Sequence, residues 1–425
     1  MTTTKLKEMI SKNELDAKFA ALYGEEKVAY QRERYLSAVR SFEKDYGVRD
    51  ASLFSVSGRS EIAGNHTDHN RGKVIAGSID LDIIAIASRS GGDVINLHSE
   101  GFRPNRVSLD ELTPAPERRF SSNALIAGMC DGFCKNGYRI GGFDAYTTSS
   151  VLKGSGLSSS AAFEVMVGNV LNHLYNDGKV SNVEIAKISQ YSENVFFGKA
   201  SGLMDQMACA VGGFIYIDFE STKDPVIEKL DFDLNKYGYT LFIVNTGGNH
   251  ADLNEDYSSV PKEMKKIASL LGKEVLRECS YEELIKNASM LREKAGDRAI
   301  LRAIHFFNEN RRVEEMRAAL GRDDLDAFLS LVIESGNSSF RYLQNVYTTK
   351  NVEEQGLSLA LALSENLLKG KRAAWRVHGG GFAGTIQAFV PHDMAAEYKT
   401  EIEKVFGEGS CIPLRVRKEG AAKLA

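Results

Sequence analysis

Short apolar-rich runs over residues 53–56, 74–79, 83–87, 94–98 and 143–148 read as strands. Farther on, Ala162, Val165, Met166, Val170 and Leu174 recur at helical spacing, and Asp177-Gly178 supplies a stop. A second helix is predicted over 182–196, then strands over 214–219 and 239–244. Residues 260–345 are rich in Glu, Lys, Arg, Leu and Ala and read as helical. The end returns to mixed structure, with helices over 357–368 and 394–406 around strands 373–378 and 385–390. Strands and helices intermingle without a strict βαβ rhythm, which predicts an α+β fold. Residues 1–40 are charged and helix-prone with only a weak apolar stripe (Phe19, Leu22, Tyr23). A helix over 42–46 should close at Gly47. A shift in charge near 220–236 predicts a division into 1–40, 41–225 and 226–425.

Composition narrows the class. The chain has 425 residues, 43% hydrophobic and 26% charged, with net charge −4. That length accommodates two domains, and the charge gives no reason to expect nucleic acid or an anionic membrane as a partner. No apolar run approaches membrane-spanning length, and Met1 to Lys7 lacks the apolar core of a signal peptide. Five scattered cysteines fit reduced thiols, so a cytoplasmic protein is expected. Cys130 and Cys134 lie one helical turn apart, which favours a packed helix face over a metal pair.

The strongest local signal is Lys153-Gly154-Ser155-Gly156-Leu157-Ser158-Ser159-Ser160-Ala161-Ala162. Small residues let the backbone approach an anion, and the helix start behind them offers unpaired N–H groups and a positive dipole end. This is the recipe for holding a polyphosphate. No Gly-Lys-Ser/Thr closes the loop, so it is not a Walker P-loop. The competing reading is a solvated Gly/Ser linker.

Three further stretches concentrate polar groups. Residues 57–70 follow a strand in a turn-prone run, where Asn65, His66 and Asp68 mix donors and acceptors suited to a polyol. A solvated loop, or a metal held by His66, Asp68 and His69, are the alternatives, although the spacing matches no standard zinc site. Asp205, amid the small and apolar residues of 201–207, is either a helix cap or a functional carboxylate. The turn from His378 through Gly384 has either a purely geometric role or lets a phosphate or loop approach.

Taken in order, these motifs resemble the GHMP kinases, and within them the galactokinase branch. Gly58 through Asn70 resembles that branch's Gly-Arg-x-Asn-(x)2-Gly-Glu-His-Thr-Asp-Tyr-Asn, and Gly154 through Ala162 its ATP loop. Glu193-Asn194, Gly202-Leu203-Met204-Asp205-Gln206, His250, Asp256-Tyr257, Glu334-Ser335 and Gly379 through Gly384 follow in register. The resemblance implies an N-terminal domain like domain 2 of ribosomal protein S5 and a ferredoxin-like C-terminal domain, with the active site between them. It implies phosphorylation of a monosaccharide hydroxyl by ATP, galactose first, with Asp205 as base and Arg59 beside it. Lys153, Gly154, Ser155, Gly156, Leu157, Ser158, Ser159, Ser160 and Ala161 would hold ATP, and Ser160 and Glu193 Mg2+. Asn65, His66, Asp68, Gly202, Tyr257 and Gly380 fall at sugar-binding positions. A monomer or weak homodimer is expected.

The chain also departs from the pattern. The family's Glu is Asn65 here, its Asn is Glu61, and its Tyr is His69. Leu152, Ala200, Gly336, His378 and Ala383 are further changes. Most lie around the sugar rather than at Asp205, Arg59 or the phosphate loop. Three rivals therefore stand beside a galactose kinase: a kinase for another hexose, amino sugar or polyol, a non-catalytic sugar and nucleotide sensor, and the metalloprotein above. Residues 1–40 exceed what the family needs and have no assigned role.

Overall fold

A computed structural model describes all residues except 152–156, 200 and 249–252. Lys153, Gly154, Ser155 and Gly156 of the expected ATP loop, with Leu152, Ala200 and His250, therefore lie outside the described residues. The chain begins with α1 (Thr3–Ser11), α2 (Asp16–Tyr23) and α3 (Val28–Tyr46), then β1 (Ser52–Ala63), β2 (Lys73–Arg89), β3 (Val94–Ser99) and β4 (Asn105–Ser108). Next come α4 (Ser122–Lys135), β5 (Phe143–Ser149), α5 (Ser159–Tyr175), α6 (Asn182–Tyr191), α7 (Met204–Val211), β6 (Phe214–Asp218) and β7 (Val226–Leu230). These strands form one sheet in the order β1-β2-β5-β3-β4, and the long β2 pairs β6 with its other half. Only the pairing of β3 with β5 is parallel.

The remainder starts with β8 (Tyr239–Asn245) and the helices α8 (Asn254–Leu270), α9 (Tyr281–Lys286), α10 (Ala288–Ala295), α11 (Asp297–Gly321), α12 (Leu325–Ser338) and α13 (Gly356–Leu368). It closes with β9 (Ala374–Val377), β10 (Thr385–Pro391), α14 (His392–Phe406), β11 (Cys411–Leu414) and β12 (Ala421–Lys423). A second, antiparallel sheet has the order β11-β8-β10-β9, whereas β12 returns to the outer edge of β1. The α+β fold stands. The division at 225/226 needs correction, because β7 pairs β6 in the first sheet and β12 rejoins that sheet from the far end of the chain. No helix among the described residues is long and apolar enough to cross a membrane.

Two expected strands are one. Residues 74–79 and 83–87 belong to β2, and the polar Asp80 and Asp82 that interrupt the pattern sit at a register shift against β1. Both are buried and paired, Asp80 with Lys27 and Asp82 with Arg34 at 2.6 Å. The first 40 residues are likewise more than an appendage, and the boundary at 40 falls inside α3. Leu6, Ile10, Phe19, Tyr35, Val39 and Phe42 form a core against Leu53, Ile84 and Ile86 on the outer sheet face. The alternate residues Phe54, Ile83 and Ala85 face the other way, onto the core shared with α5. The apolar stripe is weak in the sequence because α1, α2 and α3 share it. In α4, Cys130 packs inward while Cys134 is exposed, so the pair does not form one packed face.

The N-terminal helices are fastened by a polar bolt: Tyr23 donates to the buried Asp82 carboxylate, which also receives Ser55 and Arg417. Tyr23→Phe removes a hydrogen bond to a buried charge, and urea unfolding should register a loss of about 1.5–3 kcal/mol with unchanged KM for ATP. A loss below about 0.5 kcal/mol, the size of a surface substitution, would contradict this role.

Candidate functional site

Strand β1 extends through residue 63, so Arg59 and Glu61 are strand residues and not part of a loop as the turn-prone composition implied. Two positions apart, they project from one face. That face lines a cavity of about 640 Å3, closed by α8 and the turn after β9 and shared with His66, Asp68, Lys199, Gly202, Asp205 and Tyr257.

Asp205 lies in the first turn of α7, but the residue preceding that helix is Leu203 and no side chain caps it. The capping alternative therefore fails. Its Oδ1 accepts from Arg59 Nε at 2.7 Å, and its Oδ2 accepts from the Ser158 hydroxyl. Burial pushes the Asp205 carboxyl up, but the Arg59 guanidinium and the Ser158 hydroxyl outweigh it and leave the group below its ordinary value.

Ser158 is the residue preceding α5, with φ 58°, and its side chain caps none of the helix N–H groups. Because its hydroxyl turns to Asp205, the first-turn N–H groups of Ser159, Ser160 and Ala161 remain directed at whatever lies before the helix. Leu157 brings the loop to the strand, its carbonyl accepting from Arg59 N at 3.3 Å. The phosphate-loop residues that are described and the Arg59–Asp205 pair thus share one corner.

Ser160 Oγ lies 3.1 Å from Glu193 Oε1, and Lys199 Nζ lies 3.2 Å from the same oxygen. Glu193 Oε2 accepts from Gln206, and the adjacent buried Glu164 has one oxygen without a partner. A hydroxyl and a carboxylate are both hard oxygen donors of the kind Mg2+ takes, and in this structure Lys199 supplies the opposing charge to that carboxylate. Among the described residues no cluster of three or more His, Cys, Asp or Glu side chains is placed to hold a metal, which leaves the metalloprotein alternative without its site.

The turn after β1 is held from the C-terminal half. Gly64 has φ 92°, and a Cβ there would come 2.3 Å from the Lys73 carbonyl. Its N–H donates to Glu309, and the Asn65 carbonyl accepts from His305 Nε2 at 2.9 Å. His66 Nε2 donates to the Gly380 carbonyl at 2.9 Å, and Tyr257 donates to the Gly381 carbonyl at 3.0 Å. A Cβ at Gly202 would sit 2.4 Å from Asp68 Oδ2, so only glycine allows that approach.

Of the expected sugar residues, His66, Asp68, Gly202, Tyr257 and Gly380 line the cavity, but Asn65 does not. Its side chain is fully buried: Nδ2 donates to Glu61 Oε1 and the Gly379 carbonyl, and Oδ1 accepts from Ser339 and Asn345. With every polar atom satisfied inside the protein, Asn65 supports the wall from behind. Sequence reasoning missed Glu61 and Lys199 as lining residues. It also missed Arg376, fully buried on β9, whose Nη2 reaches Glu61 Oε1 at 2.8 Å. The strand period could have revealed Glu61, since it shares a face with Arg59.

Comparison with known proteins agrees with this geometry. Residues 124–213 match the family described as GHMP kinases N terminal domain, and residues 40–89 the galactokinase galactose-binding signature. A galactokinase of Streptomyces coelicolor is 31% identical over 349 residues, covering 81% of this chain and 86% of that protein. The chain belongs to the galactokinase family. It is a sugar kinase that uses ATP and takes a monosaccharide substrate. A galactokinase of Clostridium tetani is 28% identical over 381 residues, covering 87% of this chain and 91% of that one. The crystal structure of Lactococcus lactis galactokinase complexed with galactose superposes with a TM-score of 0.77 at 25% identity, covering 92% of this chain and all of that one. Methanococcus jannaschii mevalonate kinase, at 15% identity and a TM-score of 0.61, shares the fold.

Desolvation, and after it the neighbouring His69, lowers the His66 pKa from 6.5 to about 4. His66 should therefore remain neutral through mildly acid pH. In an NMR titration its ring should titrate near 4; a midpoint at the ordinary 6.5 would contradict the placement. Because the unfolded chain binds this proton more readily, its contribution to stability is lost as pH falls from 6.5 towards 4.

Proposed function

We propose that this chain transfers the γ-phosphoryl group of ATP to the C1 hydroxyl of galactose. The observation that carries the reading is the Arg59–Asp205 pair, which faces the cavity beside the start of α5. Galactose is the sugar bound in the Lactococcus lactis structure and implied by the relatives' name. The new bond joins sugar O1 to the γ-phosphorus as the bond from that phosphorus to the bridging β-phosphate oxygen breaks and ADP leaves. The hydroxyl proton passes to Asp205.

A carboxylate held below its ordinary pKa is a weak base towards a sugar hydroxyl, so the proton moves late, as the P–O bond forms. Asp205 then acts first by aligning the hydroxyl, and Arg59 both fixes that carboxylate and offsets developing negative charge. The N–H groups of 157–161, with Lys153, Gly154, Ser155 and Gly156, are assigned to the phosphates. Ser160 and Glu193 are assigned to Mg2+, which when bound neutralises phosphate charge. His66, Asp68, Tyr257 and the backbone at Gly202 and Gly380 are assigned to sugar hydroxyls. One chain carries all of these residues, so a monomer or weak homodimer suffices, and a cytoplasmic place with its ATP supply fits the reading.

Purified protein incubated with Mg-ATP should release ADP when galactose is added, followed across a panel of hexoses, amino sugars and polyols. ADP release with another sugar only would transfer the reading to that sugar. No sugar-stimulated release with intact nucleotide binding would contradict a kinase and favour a sensor. Asp205→Asn should reduce kcat by about 10²–10⁴ with ATP affinity unchanged, as measured by calorimetry. Arg59→Ala should also move the acid limb of the kcat/KM profile to higher pH, because Asp205 loses the cation that holds its pKa down. An unmoved limb would argue against Asp205 as the titrating group. Glu193→Gln should raise the Mg2+ concentration giving half-maximal rate; an unchanged requirement would remove Glu193 from the metal site.

A further inference from the structure

Glu61 and Asn65 carry the family's carboxylate and amide in exchanged positions. The structure explains why the exchange is self-consistent. The two side chains touch, Asn65 Nδ2 donating to Glu61 Oε1 at 2.9 Å. Asn65 Nδ2 also donates to the Gly379 carbonyl at 2.6 Å. A carboxylate at 65 would set two acceptors against each other there, so this chain requires the amide.

The charge is thereby moved onto β1, where it has a dedicated partner. Arg376, fully buried, donates its Nη2 to Glu61 Oε1 at 2.8 Å and its Nη1 to the Ile62 carbonyl at 2.9 Å. The Glu61 side chain is only 6% exposed, and what exposure it has is to the cavity. Oε1 is thus saturated by Arg376 and Asn65, whereas no donor among the described residues reaches Oε2. An acceptor clamped on one oxygen and open on the other is built to receive a donor from the cavity. Glu61 lies two residues along the strand from Arg59, about 7 Å by strand rise. That separation suits a pyranose whose reacting hydroxyl faces Asp205 and whose distal edge faces Glu61. Burial raises the Glu61 carboxyl, with Arg376 and Arg59 opposing, so an added donor relieves a desolvated charge.

We propose that Glu61 is a specificity-determining residue, its Oε2 accepting a hydrogen bond from one non-reacting sugar hydroxyl while Asn65 only holds the carboxylate in place. This rests on the sugar-kinase reading of the same cavity. It makes the chain read that hydroxyl from strand β1, through a carboxylate anchored by the second sheet.

The test compares kcat/KM for galactose and its monodeoxy analogues in the wild type and in Glu61→Gln. Gln retains an oxygen for Arg376 and Asn65 but presents an amide N–H2 to the cavity. One deoxy analogue should lose about tenfold or more in the wild type. In Glu61→Gln galactose itself should lose a similar factor, and that analogue little more, while the other deoxy penalties stay as in the wild type. KM for ATP should hold, while the melting temperature should fall because buried Arg376 loses its charged partner. Additive penalties at every position, or equal losses for all sugars with a changed KM for ATP, would overturn the proposal. Glu61→Asp, which keeps a carboxylate near Arg376 but draws it back from the cavity, provides a second variant should the first fold poorly. It should abolish the sensitivity to the wild-type hydroxyl, and persistence of that sensitivity would also overturn the proposal. A wild type that phosphorylates none of these sugars would instead remove the kinase reading, and the proposal with it.

Discussion

The pairing of Arg59 with Asp205 is the constraint around which the cavity is arranged. A carboxylate facing a desolvated corner must be compensated, and the three members of this cluster come from separate parts of the chain. Arg59 comes from the middle of β1, Ser158 from the turn before α5, and Asp205 itself from the first turn of α7. Their convergence demands close approach: a Cβ at Gly58 would lie 3.1 Å from the Leu157 carbonyl that receives the Arg59 N–H. The same contact diverts the Ser158 hydroxyl from capping α5. The start of α5 and the Asp205 carboxylate are therefore coupled through one side chain.

A second layer fixes the other wall. Buried polar residues from the C-terminal half hold it: His305 and Glu309 on α11 bond to the turn that follows β1, Ser335 on α12 holds Glu309, and Arg376 on β9 bonds to Glu61 and Ile62 of β1 itself. His378 Nε2 accepts from the Glu61 N–H at 3.3 Å, and its Nδ1 donates to Thr385 at 2.9 Å. Burial, then Arg59 and Arg376, hold the His378 ring well below its ordinary pKa, which keeps Nε2 an acceptor. The two sheets thus meet through an apolar core and a hydrogen-bonded polar seam, and the cavity lies along that seam.

Much of this was legible in the residues. The short apolar runs fall in β1, β2, β3, β5 and β6, whereas β4, β7 and β12 of the same sheet went unread, and the helix behind the serine run follows from its apolar spacing. The resemblance to the kinases brought Arg59, Asp205, Ser160 and Glu193 together before any coordinates. What was not legible has physical causes. The buried Asp80 and Asp82 disguised one long strand as two, because their partners Lys27 and Arg34 lie some fifty residues away. The charged, helix-prone first forty residues show only a weak apolar stripe because α1, α2 and α3 divide one apolar surface among them. Asn65 was assigned to the sugar by alignment with a motif, although a polar residue after a strand can turn inward when donors and acceptors await it. Position within a motif carries chemistry only if the side chain reaches the cavity, and that depended on Ser339, Asn345 and Gly379, remote in sequence.

The central claim is that a clamped Asp205 aligns the reacting hydroxyl while Glu61, not Asn65, reads the far side of the sugar. A crystal structure with galactose, Mg2+ and a non-hydrolysable ATP analogue tests this most directly. It should show the C1 hydroxyl within hydrogen-bond distance of Asp205, Arg59 still on that carboxylate, a second hydroxyl on Glu61 Oε2, and Asn65 bonded as it is now. A sugar in contact with the Asn65 side chain, or an Asp205 turned away from the hydroxyl, would contradict it.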